Sequence, residues 1–185
     1  MDDSDETVWS RVRAGDSRTF GVIWDRHHAR VFRHLMAGGF PRTDAEDLVA
    51  VTFLELWRKR RSVRFAEGSL LPWLIVTARN VARNAARSQR RYERFLAALP
   101  APTPIPDHAD RHEVDDRTAA VLTALANAKP VDADLLAMTA LEGFTISEAA
   151  TALGLSESAA KMRLSRLRTQ IRALVGPTPL VEGGA

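Results

Sequence analysis

A run of alternating prolines divides this chain into two parts. Pro100, Pro102, Pro104 and Pro106 stand at every second position. Proline fixes its own φ, removes a backbone donor and keeps the preceding residue out of the helical region, so this run cannot be a helix or a central strand. We expect an extended, flexible spacer over residues 97–117, with one folded part on each side of it.

Both folded parts are predicted to be helical. Apolar residues recur at steps of three and four in segments that begin near Phe20, Thr43 and Leu71. Thr43 and Glu46 have the spacing of a capping box, and Pro72 suits the first turn of a helix. Alternating β-branched runs are absent from the sequence. The prediction is an all-α protein: two small helical domains joined by a flexible proline-rich linker.

Composition restricts the class of protein further. Hydrophobic residues make up 45% of the 185 residues, which is enough for a core, and cysteine is absent. The lack of cysteine excludes disulfide frameworks, thiolate zinc sites and cysteine nucleophiles. No apolar run approaches the ~20 residues of a membrane span, and the start of the chain is acidic where a secretory signal would be basic. We expect a cytoplasmic protein without membrane insertion.

The formal net charge of +3 conceals two basic blocks. Residues 57–94 carry eleven arginines and lysines against two glutamates, and residues 157–185 are also net basic. Basic blocks attract polyanions, and arginine is the better bidentate donor to phosphates and base edges. A solvated helix face is the plainer explanation of one such block, whereas two separate blocks favour nucleic-acid binding.

The C-terminal part carries the pattern of a helix-turn-helix. Thr145 and Glu148 have capping-box spacing, Gly154 suits the left-handed end of a short helix, and Ser156 suits the cap of the next helix. A short helix, a glycine turn and a capped second helix follow in the order of that motif. A basic helical hairpin with no role on DNA is the alternative.

On the second helix of this pair, residues at steps of four and three are predicted to face the core. They are Ala160, Leu164, Leu167, Ile171 and Leu174. The side chains left outward are Ser158, Ala159, Met162, Arg163 and Arg166. Arginine can pair bidentately with guanine and lysine can hold phosphate, so this outward face is predicted to contact DNA.

The whole layout resembles the group IV, or extracytoplasmic-function (ECF), sigma factors of bacterial RNA polymerase. The resemblance rests on AEDLVA and FLELWR within 45–58, PWLIVTARN at 72–80, SEAA and LGLS within 147–156, and KMRLSRL at 161–167. The order and spacing of these segments, and the segment at 72–80 in particular, distinguish the chain from a generic helix-turn-helix protein.

The resemblance implies four stretches with different roles. Residues 1–96 would be sigma region 2, which binds core RNA polymerase and recognises and melts the minus-ten element. Residues 97–117 would be the linker, residues 118–175 would be sigma region 4, which reads the minus-thirty-five element, and residues 176–185 would be a flexible tail. The implied function is to direct promoter-specific transcription initiation.

The resemblance also implies site residues. The polymerase-binding residues would be Asp47, Ala50, Leu54 and Trp57. The minus-ten contacts would be Phe65 in the loop at 62–71 and Asn80, Arg83, Asn84, Arg87 and Arg91 on the following helix, in an outward stripe that begins at Val76. The minus-thirty-five contacts would be Ser156, Ser158, Lys161, Met162, Arg163 and Arg166.

The chain departs from the family pattern in three places. Ala50 stands where the family usually has glutamine, so the polymerase-docking surface is less polar than usual. Residues 158–160 are Ser-Ala-Ala where Gly-Thr-Val is common. The segment 128–134 has aspartates where the family has an arginine with a buried contact.

The implied partners are core RNA polymerase, promoter DNA and an anti-sigma factor that holds activity off. No catalytic residue, cofactor or metal is predicted. His27 and His34 share a helix face, and His108 and His112 have i,i+4 spacing, but neither pair has the surrounding ligands that a metal site needs.

Two other functions remain as alternatives. A stand-alone helix-turn-helix transcriptional regulator would bind a palindromic site as a dimer. An RNA-binding or adaptor protein would use its arginines on structured RNA without promoter dependence. Neither alternative gives a role to both parts of the chain.

Overall fold

The computed structural model of this chain describes residues 3–97, 123, 125 and 127–175. Residues 3–97 and 130–175 contain seven α-helices, and the described residues contain no strand beyond one isolated bridge. The helices are α1 (Asp5–Arg13), α2 (Phe20–Ala37), α3 (Arg42–Arg58), α4 (Leu71–Ala97), α5 (Pro130–Ala140), α6 (Ile146–Leu153) and α7 (Glu157–Val175). The predicted all-α fold is confirmed. Residues 98–117 of the predicted spacer and the predicted tail at 176–185 lie outside the described residues.

The helix-turn-helix pattern forms as the sequence predicts. At the start of α6, the Thr145 hydroxyl accepts a hydrogen bond from the Glu148 amide (3.1 Å), and the Glu148 carboxylate accepts one from the Thr145 amide (2.7 Å). Gly154 ends α6 in the left-handed conformation, with φ of 71°. The Ser156 hydroxyl then accepts the Ala159 amide at the start of α7 (3.3 Å). Both helix starts are therefore capped by side chains.

The capping box predicted at Thr43 is wrong. α3 begins at Arg42, so its N-cap is Pro41, two residues before Thr43, and Pro41 makes no side-chain cap. The Thr43 hydroxyl donates to the Asp44 carboxylate (3.4 Å), and Glu46 pairs with Arg42 (3.0 Å). Because Thr43 lies inside the first turn, its side chain is not placed to accept the amide that a cap would satisfy.

Helix α1 is not predicted from the acidic start of the chain. The Ser4 hydroxyl caps it by accepting the Thr7 amide (3.3 Å). Its apolar residues that become buried are Val8, Trp9 and Val12. The indole of Trp9 also donates to the carbonyl of Arg60 (3.2 Å), so α1 closes the end of the helical bundle against the residues that follow α3.

Helices α1–α4 form the N-terminal unit, which comprises residues 3–97. The inner face of α3 is buried as predicted, with Ala45, Leu48, Val49, Thr52, Phe53 and Leu56 in the core. The first two turns of α4, residues 72–78, are buried on every side because α2, α3 and the C-terminal helices all pack against this helix. Val76 is therefore buried, and its predicted place on the outward stripe is wrong.

Helices α5–α7 form the C-terminal unit, which comprises residues 130–175. Ala160, Leu164 and Leu167 of α7 are buried as predicted. Ile171 is half-buried and Leu174 is exposed, so the prediction fails over the last turn. The reason is length: α6 has 8 residues and α7 has 19, so the end of α7 extends past its described neighbours.

The two units are packed against each other. Helix α4 contacts both α5 and α6, and one continuous cluster of buried apolar residues includes side chains from both units. The sequence predicts the division into two helical parts, but it does not predict this contact. None of the described helices is both long enough and apolar enough to cross a membrane.

Candidate polymerase and nucleic-acid interfaces

The predicted polymerase-binding residues mark the outer face of α3. Asp47, Ala50 and Leu54 are exposed at steps of three and four, so they share one side of the helix. Val51 lies beside them, and the exposed fractions of Val51 and Leu54 are 43% and 53%. We call these four residues the α3 stripe. Because Val51 and Leu54 are three residues apart, they adjoin on this face, and the α3 stripe presents a small apolar patch beside Asp47.

Trp57, also predicted to bind polymerase, is half-buried at the end of α3. Its ring meets the Phe20 ring edge-on, with centroids 5.6 Å apart. The guanidinium of Arg60 lies 5.0 Å from the centroid of the indole. Part of this ring therefore supports the end of the helix, and the remainder is accessible beside the α3 stripe.

Five of the predicted minus-ten residues form what we call the α4 stripe: Asn80, Arg83, Asn84, Arg87 and Arg91. All except Arg83 are exposed. The side-chain oxygen of Asn80 accepts a hydrogen bond from Arg83 (2.5 Å), and that of Asn84 accepts one from Arg87 (3.2 Å). The stripe thus combines cations suited to phosphates with amides suited to base edges.

The loop before α4 carries the sixth predicted minus-ten residue, Phe65. Next to it, Ala66 and Ser69 exchange backbone hydrogen bonds (3.1 and 2.9 Å) across a tight turn. Glu67 and Gly68 at the tip both have positive φ, 51° and 77°. Phe65 is half-buried and packs against the core, so its ring is fixed at the base of this turn.

A buried carboxylate, that of Asp5, anchors the same loop. It accepts hydrogen bonds from the Leu70 amide (2.8 Å) and the Ser69 hydroxyl (3.3 Å). His27 Nε2 lies 2.7 Å from it, and Arg26 lies at 3.2 Å. Burial alone raises the pKa of Asp5, but the hydrogen bonds from His27 and the Leu70 amide outweigh it and lower the pKa to about 2.

Arg83 differs from the rest of the α4 stripe because α5 engages it. Its guanidinium donates to both carboxylate oxygens of Asp134, at 2.6 and 2.9 Å. Arg79 Nε donates to the same carboxylate at 2.6 Å. Asp134 is 3% exposed, so its carboxylate is enclosed between the two units, while the side chains of Arg79 and Arg83 stay 23% and 31% exposed. Arg83 is consequently engaged by α5, whereas Asn80, at the start of the α4 stripe, stays exposed.

The predicted minus-thirty-five residues gather on the outer side of the helix-turn-helix. Ser158, Lys161, Met162 and Arg166 are exposed, and we call them the α7 face. Lys161 also pairs with Glu157 one turn earlier on α7, at 2.6 Å. An open groove runs beside this face, lined among others by Asn127, Lys129, Met162, Arg166 and Gln170.

Besides Lys161, two further predicted members of this set, Ser156 and Arg163, are engaged by other residues of the C-terminal unit. Ser156 caps α7, so its hydroxyl is committed to the Ala159 amide. Arg163 is half-buried and donates to the carboxylate of Asp132 (2.8 Å). Arg163 would have to leave Asp132 before it could contact DNA. Arg166 forms no ion pair among the described residues, so it could contact DNA without breaking one.

Comparison with known proteins matches both units. The family model for sigma-70 region 2 matches residues 23–92, and that for sigma-70 region 4 matches residues 118–171. The RNA polymerase sigma factor CarQ of Myxococcus xanthus is 31% identical over 178 residues, which cover 92% of this chain and 97% of CarQ. This chain belongs to the sigma-70 family of RNA polymerase sigma factors.

Further relatives support the assignment to the ECF group of this family. The ECF RNA polymerase sigma factor SigM of Mycobacterium tuberculosis (strain ATCC 25618 / H37Rv) is 26% identical over 180 residues, which cover 94% of this chain and 85% of SigM. The structure of CnrH in complex with the cytosolic domain of CnrY has the same fold. Its TM-score is 0.56 at 24% identity, and the alignment covers 94% of this chain and 97% of that one.

The predicted resemblance is confirmed, and the chain is an ECF sigma factor, a promoter-specific transcription initiation factor. A stand-alone helix-turn-helix regulator is not favoured, because that alternative gives no role to the region 2 match at 23–92. The domain boundaries and individual site residues of this sigma factor remain predictions.

Two of the histidines considered in the sequence, His27 and His34, each meet a single carboxylate in this sigma factor. His27 lies against Asp5, and His34 Nδ1 lies 2.5 Å from Glu142. Among the described residues, no group of three or more histidines and carboxylates is arranged to hold a metal ion. His108 and His112 lie outside the described residues.

Sequence reasoning missed the acidic partners of the arginines. The sequence signal for Asp134 is its position in the segment 128–134, where the chain departs from the family pattern. However, Asp134 is 55 residues from Arg79, and Glu142 is 112 residues from its partner Arg30. No local periodicity connects residues at such separations, so the pairs become visible only in the folded chain.

Proposed function

We propose that this sigma factor uses three separate surfaces. The α3 stripe binds core RNA polymerase, the α4 stripe and its preceding loop bind the minus-ten element, and the α7 face reads the minus-thirty-five element. The observation that supports this division is the difference in surface chemistry. The exposed face of α3 carries Val51 and Leu54 and has no arginine or lysine over residues 43–57. The exposed faces of α4 and α7 are rich in arginine, although they also expose apolar side chains such as Tyr92 and Met162.

On the α4 stripe, Arg87 and Arg91 would follow the phosphates of one strand, and Asn80 and Asn84 would meet exposed base edges. Strand separation then draws on the binding free energy of the unpaired strand. No bond is made or broken by the protein. We therefore propose a binding role without enzymatic activity and without a cofactor of its own.

On the α7 face, Arg166 would donate to a base edge in the major groove, and Met162 would contact a thymine methyl group. The hydroxyl of Ser158 and the ammonium of Lys161 would hold phosphates and fix the position of the helix. Arg163 would join them only after it leaves Asp132. Base reading would thus rest mainly on the residues that are free of ion pairs within the C-terminal unit.

We also propose an anti-sigma partner and a cytoplasmic site of action. CnrH has been solved in complex with the cytosolic domain of CnrY. Core RNA polymerase and promoter DNA, the proposed ligands of the three surfaces, are in the cytoplasm of a bacterium. A stoichiometric, non-polymerase protein that co-purifies with the tagged chain and blocks its transcription in vitro would identify this partner.

The experiment that tests the function is run-off transcription with purified core RNA polymerase on genomic fragments, with this chain added or omitted. We expect new transcripts that depend on the chain and share two spaced upstream motifs. Absence of both transcripts and core binding would refute the proposed function. Core binding without transcripts would leave the α3 assignment and refute the assignments on α4 and α7.

Matched arginine variants test the DNA surfaces. We expect Arg87→Ala and Arg91→Ala to weaken opening of duplex promoters by several-fold, while Arg33→Ala, an exposed arginine on α2, leaves it unchanged. On α7, Arg166→Ala should relax base preference in the upstream element, and Arg172→Ala on the same helix should not. If Arg33→Ala weakened opening as much as the two α4 variants, or Arg172→Ala relaxed base preference as much as Arg166→Ala, the assigned surface would be contradicted.

A further inference from the structure

Arg163 differs from its neighbours on α7 because another helix holds it. It lies one residue after Met162 and three before Arg166, which both belong to the α7 face. Its Nη1 donates to the carboxylate of Asp132 on α5 at 2.8 Å. Residues three apart lie side by side on a helix, so a cation next to the proposed base-reading surface is held toward α5.

The position of Asp132 is fixed by α5 itself. Asp132 lies in the first turn of this helix, where its amide donates to the carbonyl of Lys129 (2.9 Å). Its side chain is 19% exposed and that of Arg163 is 34% exposed, so the pair is partly shielded from water. An arginine held by a shielded carboxylate loses more on leaving it than an arginine paired at an open surface does.

The pair lies in the open groove beside the α7 face. Three cations line this groove, namely Lys129, Arg163 and Arg166, and Asp132 is the single carboxylate among its described lining residues. Removal of that carboxylate would leave three like charges together. Polyanionic DNA bound on the α7 face would then become the acceptor for Arg163.

Departure of Arg163 from Asp132 has two costs when DNA binds. The hydrogen bond between the two side chains is lost, and the carboxylate is left partly buried without its partner beside an incoming polyanion. The gain from one contact between an arginine and a guanine is of similar size. The exchange therefore gives little net preference for a base in the unchanged chain.

From these contacts we infer that Asp132 is a positioning residue that sets base specificity. It holds Arg163 out of base reading, so the choice of bases falls to Met162 and Arg166. Asp132 itself touches no DNA. The inference rests on the proposed role of the α7 face, and it adds a residue of a different helix to the determinants of base preference.

The base preference in the upstream promoter element measures this role. Promoters with a randomised upstream element are selected by binding to the full chain assembled with core RNA polymerase. We expect Asp132→Ala to gain a preference for guanine of about fivefold or more at one position at which the unchanged chain shows none. An identical preference in both proteins, or a uniform loss of affinity for all sequences, would overturn the inference, because a purely structural role of Asp132 predicts one of those two results.

Arg163→Gln shows whether the new preference comes from the released arginine. Combined with Asp132→Ala, it should abolish the gain of guanine. On its own, it should change the base preference much less than Arg166→Ala does. If Arg163→Gln alone relaxed the preference as much as Arg166→Ala, Arg163 would read bases despite its ion pair and the inference would be wrong. This comparison requires no change at Asp132, so it does not depend on the stability of the Asp132 variant.

Two further variants control for charge and for side-chain chemistry. Glu157→Ala removes another carboxylate in the first turn of a helix that is paired with a cation, here Lys161 at 2.6 Å. It should strengthen binding to all sequences alike, because the released lysine contacts phosphates. Asp132→Glu keeps a carboxylate and should keep the original preference. The same gain of guanine in either control would mean that the pair with Arg163 does not set the preference.

Arg166→Ala in the same selection separates failure of this inference from failure of the proposed function. If Arg166→Ala relaxes the base preference while Asp132→Ala gains none, the α7 face reads DNA as proposed and Asp132 lacks the inferred role. If Arg166→Ala leaves the base preference unaltered, the proposed reading surface itself is wrong, and the inference about Asp132 is refuted together with it.

Discussion

At the scale of single residues, the carboxylate of Asp5 joins the start of the chain to the loop before α4. We expect Asp5→Asn to lower the free energy of unfolding at neutral pH by about 1–3 kcal/mol, because a charged acceptor of several buried hydrogen bonds is replaced. Urea denaturation measures the loss. Asp25→Asn, an exposed aspartate on α2, is the matched control and should change the stability by less than about 0.5 kcal/mol.

The pH dependence of the Asp5 contribution has a definite sign. The pKa of Asp5 is lowered on folding from 3.8 to about 2, so the unfolded chain binds this proton more readily than the folded one. The stabilisation is fully present above about pH 4 and is lost as the pH falls toward 2. The difference in unfolding free energy between the unchanged chain and Asp5→Asn should shrink over that interval. A constant difference would contradict the lowered pKa.

Residue types could be predicted at this scale better than residue partners. The sequence identifies an acidic N-terminus and an aspartate in place of an arginine near position 134. It does not show which residues these acidic side chains contact. Asp5 meets an amide 65 residues away, and Asp134 meets Arg83 at a separation of 51 residues. Such pairs depend on how the helices pack, which single-sequence patterns do not encode.

At the scale of elements, two threonines with the same sequence spacing provide a test of capping. Thr145 closes a capping box, whereas Thr43 lies inside the first turn of α3. We expect Thr145→Ala to destabilise the protein by about 1 kcal/mol and Thr43→Ala by clearly less, because only the first leaves an amide without its acceptor. Chemical denaturation compares them. Equal losses would mean that the hydrogen bonds of Thr145 contribute nothing measurable.

Most helices could be predicted because helical periodicity is a local signal. The bounds of α6, the left-handed Gly154 and the buried face of α3 all follow from residues within a few turns of one another. Helix α1 could not be predicted in the same way. Its burial depends on contacts with α2 and with the carbonyl of Arg60, which lie outside its own sequence window.

Two valines of similar exposure test the polymerase-binding element. Val51 lies in the α3 stripe and Val22 on α2, with exposed fractions of 43% and 40%. We expect Val51→Asp to weaken binding to core RNA polymerase by about tenfold or more, because the interface would bury an unpaired charge. Val22→Asp should leave it unchanged. A binding assay with labelled core enzyme measures both, and equal affinities would move the interface away from α3.

At the scale of the whole molecule, the division of the chain could be predicted and the contact between its parts could not. The alternating prolines indicate two folded parts because proline affects local backbone geometry wherever it stands. The contact joins residues separated by 51 to 112 positions through charge pairs and a shared apolar cluster. The sequence predicts a basic α4, but only the packing explains why Arg83 of its stripe is engaged by an aspartate of α5.

The shared contact should also couple the unfolding of the two units. Because one buried cluster includes both, opening one unit exposes apolar surface of the other, and we expect a single calorimetric transition for the unchanged chain. Asp134→Asn with Glu142→Gln should separate this transition into two, since the units then unfold independently. Glu6→Gln with Asp25→Asn, which makes the same change in charge at exposed sites, should retain one transition. Two transitions in the unchanged chain would mean that the contact is too weak to couple the unfolding of the two units.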